Sequence, residues 1–269
     1  MGVGVAVDNM TDQDAVGRWR VAAASVRGVG HERVGLPCQD ACRLRILPHE
    51  ILVIAVADGA GSARLSQYGS TAAVEAVVDS FRSDAELMPL PATDDDWRRL
   101  LTNLLHHARA ALEREAETRQ AALDELATTL SVALVTPTVL AAAQIGDGAV
   151  VAADETGVPF TLTAPQSGEY LNETVFLTST EAIASAQIRV FHGAVRRVAA
   201  ITDGLQMLAL AMPSGEAHAA FFASAFRFAA GITDSETAQQ QLVTFLTSPR
   251  IRARADDDLT LVLAAYCKP

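Results

Sequence analysis

No stretch of this 269-residue sequence approaches the ~20 consecutive apolar residues that span a bilayer. Nor does a basic segment followed by the roughly 7–15-residue apolar run of a secretory signal stand at its start. These absences predict a soluble cytoplasmic protein. Positive charge is scarce: 21 Lys and Arg face 32 Asp and Glu, a formal net charge of −11. Nucleic acid and anionic membrane would both be repelled, so neither is expected as a partner. Cysteine is scarce too. Cys38, Cys42 and Cys267 are odd in number and too sparse for a disulfide framework. Cys38 and Cys42 also lack a second Cys or His pair at zinc-ligand spacing. No Gly/Ser- or Pro-rich linker divides the chain. One domain over residues 18–269 is therefore expected, behind a flexible lead-in of residues 1–17.

What the sequence does hold is apolar residues, half of the total, in short runs. Strands are predicted at 19–26, 51–57, 130–135, 139–145, 148–153, 173–178, 188–191, 198–202 and 259–265. Thr136-Pro137-Thr138 reads as a hairpin connection. Helical spacing predicts helices at 63–81, 93 to about 126, 216–230 and 235–247, with loops at 28–39 and 83–92. The second helix opens on Thr93, with Asp94, Asp95 and Asp96 in the turn where the macrodipole favours acids. Strands in consecutive pairs with helix pairs between them predict an α+β layered domain with mainly antiparallel sheets. A doubly wound parallel sheet needs a helix after nearly every strand, and that alternation is missing.

Acids cluster at the ends of the apolar runs. Ile51 to Ala57 ends on Asp58-Gly59, and Gln144-Ile145-Gly146-Asp147-Gly148 and Ala200-Ile201-Thr202-Asp203-Gly204 repeat the arrangement. About one Asp-Gly pair is expected by chance from this composition, and three occur. Asp147-Gly148 is the best candidate for a plain two-residue hairpin, because strands are predicted on both sides. Helix or loop follows the other two. Asp256-Asp257-Asp258 precedes the last strand, and Asp40 closes the first glycine-rich loop. Carboxylates crowded at one sheet rim raise each other's pKa, which destabilises the fold unless divalent cations are bound. Aspartate oxygens, backbone carbonyls and water, without His or Cys, suit hard ions such as Mg2+ or Mn2+. Glycine after Asp58, Asp147 and Asp203 lets a backbone carbonyl approach the ion.

Val56-Ala57-Asp58-Gly59-Ala60-Gly61, Ile145-Gly146-Asp147, Thr202-Asp203-Gly204 and Asp257-Asp258-Leu259-Thr260 resemble, in order and spacing, the motifs of the type 2C metal-dependent serine/threonine protein phosphatases. Gly35-Leu36-Pro37-Cys38-Gln39-Asp40-Ala41 resembles that family's first motif in a bacterial-type variant. The resemblance runs from about Trp19 to Ala265. It implies a four-layered α/β/β/α sandwich with a binuclear metal site at one edge. It also implies residue roles. Asp58 would bridge two metals, the Gly59 carbonyl would ligate one, and Asp203 and Asp257 would hold the other. Asp40 would contact the cluster directly or through water, and Asp147 with Asp203 would hold a third ion found in some members. Two such ions acidify a shared water and neutralise phosphoryl oxygens, so no nucleophilic side chain is required. The Cys-x5-Arg loop of tyrosine phosphatases is absent.

The chain departs from the family at Ala60, where many relatives carry a histidine assigned to leaving-group protonation. His31 or a metal-bound water is the expected substitute. Cys38-Gln39-Asp40 replaces the usual Asn-Glu-Asp, and Arg33, in preference to Arg27, is the expected phosphate-clamping residue. The leading expectation is a monomeric phosphatase acting on phosphoserine and phosphothreonine in proteins. The alternative is a weak or inactive relative that binds phosphorylated segments or regulates.

Overall fold

The computed structural model describes residues 5–7, 19–81, 90–165 and 174–267. The first sheet runs in the order β1 (Val5–Val7), β3 (Ala41–Leu47), β4 (Ile51–Ala57), β5 (Leu130–Val135), β6 (Val139–Ile145), β9 (Gln187–His192). Every pairing in it is antiparallel except β1 with β3. The second sheet runs β2 (Trp19–Val26), β13 (Leu259–Tyr266), β10 (Arg197–Ile201), β7 (Ala149–Ala153), β8 (Pro159–Thr163), antiparallel throughout. A two-residue pair, β11 (Leu210–Ala211) and β12 (Glu216–Ala217), stands apart. The longer helices are α2 (Ser66–Asp79), α3 (Asp94–Arg119), α5 (Ala219–Ala230) and α6 (Ser235–Leu246). The short ones are α1 (Val29–Val34), α4 (Gln206–Ala209) and α7 (Pro249–Arg252).

Three apolar layers glue four structural ones. Along β4, Val53, Ala55 and Ala57 face α2 and α3, while Leu52, Ile54 and Val56 face the other sheet. This period of two explains an unbroken apolar run: both faces of the strand are covered. Along β13, Leu259, Leu261 and Leu263 face α5 and α6, and Val262 and Ala264 face inward. The order of layers is therefore helices, sheet, sheet, helices.

Helix α3 starts on the capping box that Thr93 forms with Asp96: the Asp96 amide donates to Thr93 Oγ1 at 3.2 Å and the Thr93 amide donates to Asp96 Oδ2 at 3.3 Å. Such caps are worth ~1 kcal/mol. The helix buries Trp97, Leu101, Leu104, Leu105, Ala108 and Leu112. It stops at Arg119, short of the predicted 126, because Gln120 takes a left-handed conformation (φ 54°) and a separate 3-10 turn covers Leu123–Leu126.

Other expectations need correction. The predicted loop 28–39 contains α1, and the helix predicted from 216 starts at Ala219 after β12. β3 and β8 were not predicted. No strand forms over residues 174–178. Residue 173, most of the 83–92 loop and most of the 1–17 lead-in lie outside the described residues.

The largest correction concerns Asp147-Gly148. β6 and β7 belong to different sheets, so this turn is no hairpin but a crossing between them. Gly146 takes φ 100°, a conformation that residues bearing a Cβ avoid. Register then places every acid at one end of the sandwich. Asp40 precedes Ala41, which pairs with Ala57, the residue before Asp58. Ile201 pairs with both Ala149 and Leu261, so the Asp147 turn, Asp203 and the 256–258 run stand together.

Candidate metal centre

Asp58 follows the last residue of β4, and its backbone is fixed from β5's approach. Its amide donates to Thr129 Oγ1 at 3.0 Å, and its carbonyl accepts from the Thr128 hydroxyl and the Thr129 amide, both at 2.8 Å. Gly59 is packed so closely that a Cβ there would lie 2.8 Å from the carbonyl oxygens of Gln39 and Ser66. The carboxylates of Asp58, Asp147 and Asp203 offer oxygens all within 4.8 Å of one another. They come from three separate turns.

Asp40 lies against this trio, buried, with Oδ2 accepting from the hydroxyls of Thr202 at 2.8 Å and Thr260 at 2.7 Å. Thr260 lies in β13 and Thr202 directly follows β10, while Asp40 directly precedes β3, so the bonds tie the ends of the two sheets together. Asp258, also buried, accepts the Gly28 amide at 2.7 Å and the Gln39 amide at 2.6 Å. Its neighbour Asp257 is exposed, with Oδ1 accepting from the Asp258 amide at 2.8 Å. His31, on α1, brings Nδ1 to 3.0 Å from Asp258 Oδ2, at ion-pair distance but without hydrogen-bond alignment. His31, Asp257 and Asp258 form a second group with ligand atoms within 4.8 Å. Arg33 faces solvent, 68% exposed, 3.7 Å from Asp256.

The electrostatics are those of crowded acids. Burial first, then the charges of Asp258 and Asp203, push Asp40 well above the usual carboxylate range. Burial, then Asp40, Asp203 and Asp257, do the same to Asp58. Asp203 is pushed up to about 6 by burial and by Asp147 and Asp257. Burial also raises Asp147, against the bond from Thr174. On their own these groups resist joint ionisation, and Asp58 and Asp203 share a hydrogen bond.

Asp40 Oδ1, Asp147 Oδ1 and Asp203 Oδ1 are buried with no hydrogen-bond partner among the described residues. A buried acceptor left unpaired costs roughly 1–3 kcal/mol, more when charged. Three such oxygens at one end, in an all-oxygen donor set, fit hard divalent cations such as Mg2+ or Mn2+.

Several residues at this end escaped the sequence reading. Thr202 and Thr260 lie inside the quoted motifs but gave no chemical signal. Gln144 is the single polar residue in the apolar β6, a visible anomaly. Gln206, Thr128 and Thr129 carried no signal at all. Ala60, where relatives hold histidine, sits in a small apolar cluster with Ala63, Ala127 and Phe176.

An α/β/β/α sandwich with carboxylates converging at one end is the arrangement expected of a metal-dependent phosphatase. The family model described as Protein phosphatase 2C matches residues 27–247, and the chain belongs to that family. It is 35% identical over 256 residues to Serine/threonine-protein phosphatase 3 of Escherichia coli (strain K12), covering 93% of this chain and 99% of that protein. It is thus a serine/threonine protein phosphatase, a hydrolase acting on phosphoproteins. The fold is shared with serine/threonine phosphatase Stp1 from Staphylococcus aureus (TM-score 0.63, 15% identity, 100% of both chains covered). It is shared also with RsbX, solved in complex with magnesium (TM-score 0.55, 16% identity, 93% of this chain and 96% of that one). Among the described residues, no helix is long and apolar enough to cross a membrane.

Proposed function

We propose that this phosphatase hydrolyses phosphoserine and phosphothreonine in protein segments with two Mg2+ or Mn2+ ions held at the acidic end. Asp58, the Gly59 carbonyl, Asp203 and Asp257 would hold these ions, with Asp58 placed to serve either one. Asp40 supports them directly or through water, and Asp147 with Asp203 offers a place for a third. When bound, the ions supply charge neutralisation for the phosphoryl oxygens and an acidified water near neutral pH. The observation that carries this reading is the convergence of Asp58, Asp147 and Asp203 within 4.8 Å.

The protein's own groups do the rest. Thr202 and Thr260 hold Asp40 through Oδ2, leaving Oδ1 buried and without a partner among the described residues. Thr128 and Thr129 lock the Asp58 backbone. His31 is the donor for the leaving oxygen, its Nδ1 lying 3.0 Å from Asp258 Oδ2. Arg33 holds phosphate after exchanging its loose, solvent-facing contact with Asp256. Turnover of a phosphothreonine peptide with added Mn2+, and its loss in Asp58→Asn with two ions no longer retained by elemental analysis, tests the assignment. A metal-loaded wild type without turnover would instead support the phospho-segment-binding alternative.

A further inference from the structure

The Gly146-Asp147-Gly148 turn has little conformational preference of its own, since glycines flank the acid on both sides. Yet all three of its carbonyls are tied from outside, and each tie is a glutamine amide. Gln144 Nε2 donates to Gly146 O at 3.2 Å and to Gly148 O at 2.9 Å. Gln206 Nε2 donates to Asp147 O at 2.6 Å. Gln144 is itself anchored. It is fully buried, its Nε2 also reaches Ala164 O at 2.8 Å, and its Oε1 accepts from Thr163 Oγ1 at 2.6 Å and Ser131 Oγ at 3.4 Å. The two hydrogens of its amide are shared among three acceptors, so the side chain has one orientation that satisfies the turn. Thr174 Oγ1 completes the cage by donating to Asp147 Oδ2 at 2.9 Å, leaving Asp147 Oδ1 buried and unpaired.

Gln206 stands three residues after Asp203, on α4, which continues from the short turn carrying that acid. Its side chain therefore fastens the element bearing Asp203 to the turn bearing Asp147. We infer that Gln144 and Gln206 are positioning residues that set the spacing of the Asp147 and Asp203 carboxylates, and so the affinity of the cation those two share. Neither touches substrate. The inference rests on the metal assignment proposed above. Partners that orient metal ligands from behind are worth roughly 10–100-fold in affinity.

The test is an Mn2+ binding isotherm on the full chain, without any measure of turnover. Gln206 is only partly buried, so Gln206→Met keeps its length and apolar stem while removing the donor. Gln144→Met repeats the test from the other side, where a folding defect is separately visible by circular dichroism. In Gln206→Met the weakest Mn2+ step should weaken by about 10-fold or more, while the tighter steps stay within about 2-fold. In an Asp147→Asn background the same change should do nothing further, because its effect runs through that carboxylate. An unchanged isotherm in Gln206→Met, uniform weakening of all steps, or an undiminished effect beside Asp147→Asn overturns the inference while leaving the metal assignment standing. Should Asp147→Asn itself leave the isotherm untouched, the assignment of that turn falls and takes the inference with it.

Discussion

Asp203 and Asp258 lie at the same end of neighbouring strands, and the fold treats them in opposite ways. Asp258, before β13, accepts two backbone amides and faces His31, so neither oxygen is left bare. Asp203, after β10, has a buried oxygen with no donor. The first is an architectural pin that joins loop 28–39 to the last strand. The second is strained until something positive arrives. Supply of donors, not residue type or burial, separates an acid that builds the site from one that works in it. The run Asp256-Asp257-Asp258 shows the same lesson along three consecutive residues. Asp256 and Asp257 are exposed, while Asp258 is 1% exposed and accepts two backbone amides.

Changing each acid in turn sharpens or breaks this contrast. The largest effect is expected from Asp203→Asn: turnover with Mn2+ should fall by about 10³-fold, the scale of several kcal/mol of lost transition-state stabilisation. The metal-free protein should at the same time melt higher, because one of the crowded charges is gone; a lower melting temperature would contradict the assignment. Next is Asp258→Ala. It strands the amides of Gly28 and Gln39, so urea unfolding without metal should show a loss of about 2–6 kcal/mol, at roughly 1–3 kcal/mol per orphaned group.

The third prediction uses pH. With Asp203 at about 6 when folded and ~3.9 when unfolded, the folded state binds more protons between those values. Stability of the metal-free protein should therefore fall as pH rises through that window, by up to about 1.4 kcal/mol per pH unit for this group. Asp40, Asp58 and Asp147 are raised too and act with the same sign. Melts in chelator at pH 5 and pH 7 give the slope, which Asp203→Asn should flatten. The smallest effect belongs to Asp256→Asn, an exposed partner of Arg33 at 3.7 Å. It should change stability by less than about 0.5 kcal/mol and turnover by less than about 2-fold.

Much of this arrangement was legible in the amino-acid order. Strands such as β4 and β13 are continuous apolar runs because both faces are covered, and their terminal acids mark one rim. β3 hid because Arg43 and Arg45 interrupt its run, although Arg45 is 1% exposed. β8 hid behind its opening proline and an only half-buried face. α1 is six residues long and has no side-chain cap. Tertiary bonds hold it: the Gly30 amide donates to Asp256 O at 2.7 Å, and Arg252 grips Glu32 at 2.9 and 3.0 Å. Local pattern cannot announce an element that exists only because a distant loop supports it. The crossing at Asp147 was misread for a related reason, since two short apolar runs around Asp-Gly look alike whether they share a sheet or leave one for another. The hydroxyls and amides that aim the acids stayed silent because threonine and glutamine are ordinary residues until their neighbours are known.

That crossing has a mechanical consequence. Asp40 and Asp58 extend from one sheet, Asp203 and Asp257 from the other, and Asp147 from the strap between. A cation held, as proposed, by acids of both kinds would close the open end of the sandwich like a clasp, and at 100 times its dissociation constant would add about 2.7 kcal/mol to the folded state. Scarcity of metal would then loosen the same rim that loses turnover, so that supply of the ion governs the endurance of the molecule together with its rate.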